Sequence, residues 1–198
     1  MSEAPVKLLF IGPPGAGKGT QAARVAERLG IPHISTGEMF RHHVGRGTEL
    51  GRQVKAIMES GAYVPDEITV EMLRQRLGEP DALAGFILDG FPRTGPQVAA
   101  LEELIGEGGL DRVVLFEVDE DELTERLLSR GRLDDSEETI RNRFKVYQEQ
   151  TAPLISLYEG RGIVVRVNGL GPLEVVTNRV LDAVGGSTHY SPPTTHHL

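Results

Sequence analysis

The run Gly12–Thr20, GPPGAGKGT, constrains this chain more than any other stretch. It follows the apolar segment VKLLFI and precedes TQAARVAERLG, whose spacing is helical. The pattern G-x-x-x-x-G-K in a strand–loop–helix setting is a phosphate cradle. Its glycines let backbone N–H groups turn inward around phosphate oxygens, and the helix start adds a favourable partial charge. Lys18 is spaced to reach the outer phosphates. The position after that lysine usually carries Ser or Thr; here it is Gly19, and Thr20 is displaced by one. A magnesium ion would therefore lack a direct hydroxyl ligand and be held by the nucleotide and water. Asp89, at the end of the apolar run GFILD, stands where it could order that water.

Five short apolar runs recur: VKLLFIG, PHIS, GFILDG, VVLFEV and IVVRVN. The first, third and fourth are nearly continuous, as in strands buried on both faces. Helical segments alternate with them, which predicts an α/β fold with a five-stranded parallel sheet. Gly30 follows the first helical segment as its closing glycine. The segment from Ser136 begins with a capping-box pattern, Asp135 to Glu138. Two connections exceed simple crossovers. From about Thr36 to Ala82 there are three helical stretches and no strand pattern, and Gly131–Ser136 is a charged turn between helices. Either could close over a site.

Net charge is −8, which argues against a general nucleic-acid binder. A small polyanion remains possible if basic residues gather in one cleft, and most of the 21 are Arg, whose forks match phosphate oxygens. There is no cysteine, hence no disulfide framework and no Cys-based zinc site. No apolar run approaches the ~18 residues of a membrane span. The start, MSEAPVKLLFIG, lacks the pattern of a secretory signal, so a cytoplasmic protein is expected. The segment GGSTHYSPPTTHHL has no apolar period, and residues 186–198 are expected to be a disordered tail.

The motifs GPPGAGKGTQ, STGEMFR, GAYVPDEI, GFILDGFPRTGPQ and RGRLDDSEETIRNR occur in the order seen in adenylate kinases. The resemblance spans roughly residues 6–184, and DGFPR after a buried strand is typical of nucleoside monophosphate kinases. It implies a P-loop NTPase-type three-layer fold in one domain over residues 1–185. A helical segment binding the monophosphate would cover about residues 35–64, and a short lid loop about 130–141. Longer relatives insert a lid subdomain, sometimes zinc-bearing, between the arginines matching Arg130 and Arg132; here only Gly131 separates them, so a short lid without metal is expected.

On the AMP side the resemblance implies contacts from Thr36, Arg41, Val64, Gly90, Arg93, Gln97, Arg132 and Arg143. Gln97 would bond the adenine edge, since a carboxamide offers both a donor and an acceptor. Two structural readings stand beside these. Ser35-x-x-Glu38 is also a capping box, leaving Thr36 a structural option, and Gln97 could be a solvated helix residue. On the ATP side the resemblance implies Gly15, Ala16, Gly17, Lys18, Gly19, Thr20, Arg126, Arg130 and Gly171. Arg126 would stack on the donor adenine, and Asp134 and Asp135 would orient the arginines. Arg141 reads as a surface residue.

The implied reaction is reversible, magnesium-dependent transfer from ATP to AMP giving two ADP, with Lys18, Asp89, Arg93, Arg130, Arg132 and Arg143 as the catalytic set. Such transfer rests on positioning and charge stabilisation. A phosphate monoester is largely dianionic at neutral pH, so no catalytic base is needed, and none of the six His falls in these motifs. A UMP/CMP kinase would usually carry Asn where Thr94 and Gln97 stand, and a switch GTPase would carry N-K-x-D, which is absent. A catalytically weak regulatory homologue would leave motif positions unfilled, and here all are filled. ATP, AMP and ADP are the expected partners, without nucleic acid or membrane, for a monomer.

Overall fold

The computed structural model describes residues 6–106, 108–131 and 136–185, leaving aside the side chains of residues 120 and 130. Five parallel strands form one sheet in the order β2-β3-β1-β4-β5. They are β1 (Val6–Ile11), β2 (His33–Ser35), β3 (Gly85–Asp89), β4 (Arg112–Glu117) and β5 (Val164–Asn168). The three apolar runs expected to be buried on both faces, β3, β1 and β4, are the three inner strands.

Alternation along these strands builds two cores. Leu8 and Phe10 of β1, Ile87 of β3 and Val114 and Phe116 of β4 face one side. There they meet Val25 of α1 (Lys18–Leu29), Leu123 of α6 (Glu120–Arg130) and Val180 of α9 (Leu173–Ala183). Leu9, Ile11, Phe86, Leu88, Val113 and Leu115 face the other. They pack on Leu73 of α4 (Asp66–Leu77), Leu101 of α5 (Gly95–Ile105) and Tyr158 of α8 (Ala152–Gly160). The result is the expected three-layer fold. Burying a Leu- or Phe-sized side chain contributes ~1.5–3 kcal/mol, so these two faces carry most of the driving force.

A third, smaller cluster joins Phe40 of α2 (Thr36–Gly45), Val54 of α3 (Glu49–Glu59), Val64 and Met72. The connection between β2 and β3 thus has the three helices its sequence suggests, with a core of its own. Gly30 ends α1 in the left-handed conformation, as expected. The capping assignment at the later helix needs correction. In α7 (Glu137–Val146) the N-cap is Ser136, whose hydroxyl accepts from Thr139 N at 3.1 Å. Burial of Thr139 and Ile140 sets this register, one residue beyond the expected Asp135. A π-helical turn (Tyr147–Thr151) links α7 to α8. The residues of the expected lid at 132–135 and of the expected tail at 186–198 lie outside the described residues. Among the described residues no helix is long and apolar enough to cross a membrane.

Gly51 is where α2 and α3 touch, because a Cβ there would fall onto the His43 carbonyl. Gly51→Ala should destabilise the protein by ~1–3 kcal/mol in urea unfolding. The control Gly45→Ala, with open space around its Cβ, should be neutral or slightly stabilising.

Candidate active site

The loop after β1 turns through Gly15 at φ 84° and Gly17 at φ 88°, conformations that an L side chain resists. Gly17 is the left-handed N-cap of α1 and makes no side-chain cap, and the start of α1 carries the partial positive charge of a helix N-terminus. Lys18 Nζ folds back over the loop, donating to the carbonyls of Gly12 at 2.8 Å and Pro13 at 2.9 Å. That holds the ammonium above the loop. A Cβ on Gly19 would lie 3.3 Å from Asp89 Oδ2, so this loop packs directly against the end of β3.

The segment after β3 is organised by the carbonyl of Gly90. It accepts from Thr36 Oγ1 at 2.8 Å and from Arg93 Nε at 2.7 Å. Gly90 sits at φ 82°, and a Cβ there would lie 2.7 Å from Arg93 Nη2 and 2.9 Å from Thr36 Oγ1. Only glycine allows this convergence. The Arg93 guanidinium stacks over the Tyr63 ring, 4.8 Å from its centroid. Thr151 Oγ1 donates to the Arg93 carbonyl at 2.9 Å and pairs with Tyr63 OH at 2.8 Å. Gln97 is buried, not solvated. Its Oε1 accepts from Arg93 N at 2.8 Å and its Nε2 donates to Asp66 Oδ1 at 2.7 Å. The structural reading of the STG stretch holds: Ser35 caps α2, and Thr36 Oγ1 is engaged with the Gly90 carbonyl.

Asp89 ends β3 with its side chain 13% exposed, and His33 Nε2 stands 3.6 Å from its Oδ2. Burial alone would raise this carboxyl. The adjacent His33 and the Lys18 and Arg93 cations outweigh burial and hold it below the usual aspartate range. It is therefore an anion at neutral pH, next to the glycine loop.

One cavity of about 760 Å³ receives these parts. Gly15, Ala16, Gly17, Lys18, Gly19 and Thr20 line it. So do Thr36, Arg41, Val64, Asp89, Gly90, Arg93 and Gln97. Arg126, Arg143 and Gly171 also line it. Arg126 is oriented by Glu122, which accepts from its Nε at 2.8 Å, and it donates to the Gly169 carbonyl at 3.3 Å. Arg143 comes from α7, with its side chain against Gly61. Arg130 closes α6 four residues after Arg126, its side chain outside the description. Arg132, Asp134 and Asp135 lie outside the described residues. Arg141 is exposed, as expected.

Four participants were not read from the sequence. His33 falls in none of the motifs; in β2 it pairs with Ile87, and its side chain reaches along the strand end to within 3.6 Å of Asp89 Oδ2. Asp66 holds Gln97, and Thr151 ties Arg93 to Tyr63. Tyr147 lines the cavity; burial and the neighbouring Tyr63 push its phenol up to about 12, so it stays a neutral donor. Only Asp66, inside the quoted GAYVPDEI, carried a sequence signal. The others are brought in by tertiary packing.

Residues 10–163 match the family model described as adenylate kinase. The adenylate kinase of Kocuria rhizophila is 53% identical over 184 residues, covering 90% of this chain and 98% of that protein. That of Thermobifida fusca is 51% identical over 185 residues, covering 90% and 98%. That of Nocardia farcinica is 48% identical over 182 residues, covering 91% and 99%.

The depressed Asp89 pKa has a signed consequence. Its contribution to stability is complete above the unfolded value of about 4 and is lost as pH falls through the lower folded value. Urea midpoints of the parent and Asp89→Asn should differ at neutral pH and converge below about pH 4. A gap that widens on acidification would contradict this assignment.

Proposed function

The chain belongs to the adenylate kinase family, and from that premise we propose how its residues carry out the family's reaction. The enzyme is a phosphotransferase: a phosphoryl group passes reversibly between ATP and AMP, giving two ADP. The observation that supports the residue roles is the shared cavity, lined by the glycine loop together with Arg93 and Gln97. Two nucleotides laid end to end would meet near Asp89.

In this reading Gly15–Thr20 and Lys18 hold the ATP phosphates, while Arg126 and Gly171 border its base. Thr36, Arg41 and Arg93 grip the AMP phosphate, and Val64, Gly90 and Gln97 meet its nucleoside. Arg143, with Arg130 and Arg132, would surround the transferring group. The task is electrostatic, because two polyanions approach only where cations are interleaved. The acceptor oxygen is already anionic at neutral pH, so no residue need remove a proton. Water would compete as acceptor. The segments 35–64 and 130–141 are therefore proposed to close over the nucleotides before transfer.

Magnesium is proposed as the accompanying ion. The residues suit it: Asp89 is held ionised beside Gly19. The nucleotide and water would then supply the ligands, with Asp89 orienting water. When bound, the ion neutralises charge that develops on the phosphate oxygens. A monomer in the cytoplasm, taking up ATP, AMP and ADP, completes the proposal.

The deciding experiment offers a panel of nucleoside monophosphates with ATP and identifies the products. AMP should yield ADP and be preferred over CMP and UMP, and EDTA should abolish turnover. ATP hydrolysis indifferent to AMP would overturn the roles proposed here. Arg93→Ala should lower turnover by ~10³-fold with the fold retained, as for a cation that stabilises transferring charge. Loss of the folded state instead would make Arg93 a structural residue.

A further inference from the structure

We propose that Asp66 is a positioning residue that sets the polarity of base recognition by holding the Gln97 carboxamide in one orientation. The proposal rests on the reading that Gln97 meets the AMP base. Asp66 is the first residue of α4, just beyond Val64, and it does not line the cavity. It acts through its neighbours. Its Oδ1 accepts from Gln97 Nε2 at 2.7 Å. Both its oxygens accept from Thr94 Oγ1, at 3.1 and 3.0 Å. The Thr94 oxygen in turn accepts from Gln97 N at 3.3 Å, capping α5.

These bonds make the two ends of the carboxamide inequivalent. Nε2 faces a carboxylate oxygen, which in its ionised form can only accept. Oε1 faces the Arg93 backbone N–H at 2.8 Å, which can only donate. Turning the amide over would set Oε1 against the carboxylate and the amino group against an N–H. Both hydrogen bonds would be lost and two contacts of like polarity created. Gln97 is buried, so water cannot make up the loss.

What remains for a ligand is the second N–H of Nε2 and the second lone pair of Oε1. A 6-aminopurine offers a matching N–H at position 6 and a ring nitrogen acceptor beside it. A 6-oxopurine puts an acceptor at position 6 and requires the opposite amide orientation. Asp66 thereby discriminates against 6-oxo bases at a distance, without touching the nucleotide. It also joins the exit of the segment bearing Tyr63 and Val64 to the start of α5.

The test measures kcat/KM for AMP and for inosine monophosphate, with ATP as donor, in the parent, Asp66→Ala, Gln97→Ala and the double variant. Asp66→Ala should lower the AMP:IMP preference by about tenfold, mainly through KM for AMP, as expected for loss of one hydrogen bond to a charged group. Gln97→Ala should lower it at least as much, and the double variant should match Gln97→Ala alone, because both act through one group. Where Asp66→Ala does not fold, Asp66→Ser keeps a polar first-turn residue while withdrawing the carboxylate; its hydroxyl can donate or accept and so does not enforce one carboxamide orientation. An unchanged preference in the Asp66 variant, or additive losses in the double variant, would overturn the proposal. If Gln97→Ala itself leaves the preference unchanged, the reading of Gln97 as the base contact fails, and this inference with it.

Discussion

Parallel pairing of β1 with β3, from Val6 opposite Gly85 to Phe10 opposite Asp89, brings the carboxyl ends of two strands side by side. Whatever follows each strand must then share one space. After β1 comes the glycine loop; after β3 come Asp89, Gly90 and Arg93. β2 adds to the same edge, because Ser35 pairs with Asp89 and hands the chain to Thr36. From there α1 packs on one face of the sheet while α4 and α5 cover the other. A crevice opens where connections leave for opposite faces, which is where ligands of parallel α/β sheets bind. Hydrophobic register thus decides which charged groups meet.

The charges themselves are prevented from collapsing onto one another by being tethered separately. Lys18 is held by carbonyls of its own loop, Arg93 by the Gly90 carbonyl and the Tyr63 ring, and Arg126 by Glu122 and the Gly169 carbonyl. Backbone carbonyls and an aromatic face orient a cation without cancelling its charge, whereas Arg126 is also ion-paired with Glu122. Such anchoring is preorganisation: the groups need not rearrange when negative charge arrives. Asp89 is the useful exception, a carboxylate kept ionised against burial by His33, Lys18 and Arg93. Its position against Gly19 also accounts for the glycine there, since a larger side chain would crowd its oxygen.

The fold was legible because strand-period and helix-period segments alternate without ambiguity, and because β1, β3 and β4 read as doubly buried runs. Strand order was not, since it depends on which faces the connections take. Within the site, residues inside contiguous motifs were legible: the glycine loop, Thr36, Arg93 and Gln97 all line the cavity. His33, Tyr147 and Thr151 were not, because each reaches the site through a partner distant in sequence. Thr151 pairs with Tyr63, 88 positions away, from a π-helical turn that no local pattern announces. The N-cap of α7 was misplaced by one for a related reason. Asp135 and Ser136 are equally good caps locally, and burial of Thr139 and Ile140 chooses between them.

The connection between β2 and β3 meets the rest of the molecule in a particular chemical style. Phe40, Val54, Val64 and Met72 form a small cluster of their own, while Leu73 and Ala82, nearer β3, belong to the sheet core. Its far end touches α7 and the π turn through polar groups. Thr139 Oγ1 donates to the Glu59 carbonyl at 2.7 Å, Asn142 Nδ2 donates to the Ser60 carbonyl at 2.7 Å, and Tyr63 OH pairs with Thr151. Hydrogen bonds at a surface exchange with water at a net cost of only ~0.5–1.5 kcal/mol each. Separating an apolar interface of the same size would cost more. The stretch 36–64 is thus joined to α7 through a polar seam rather than an apolar one. The seam lies beside Arg143, whose side chain rests against Gly61, so the same contact places a cation at the cavity.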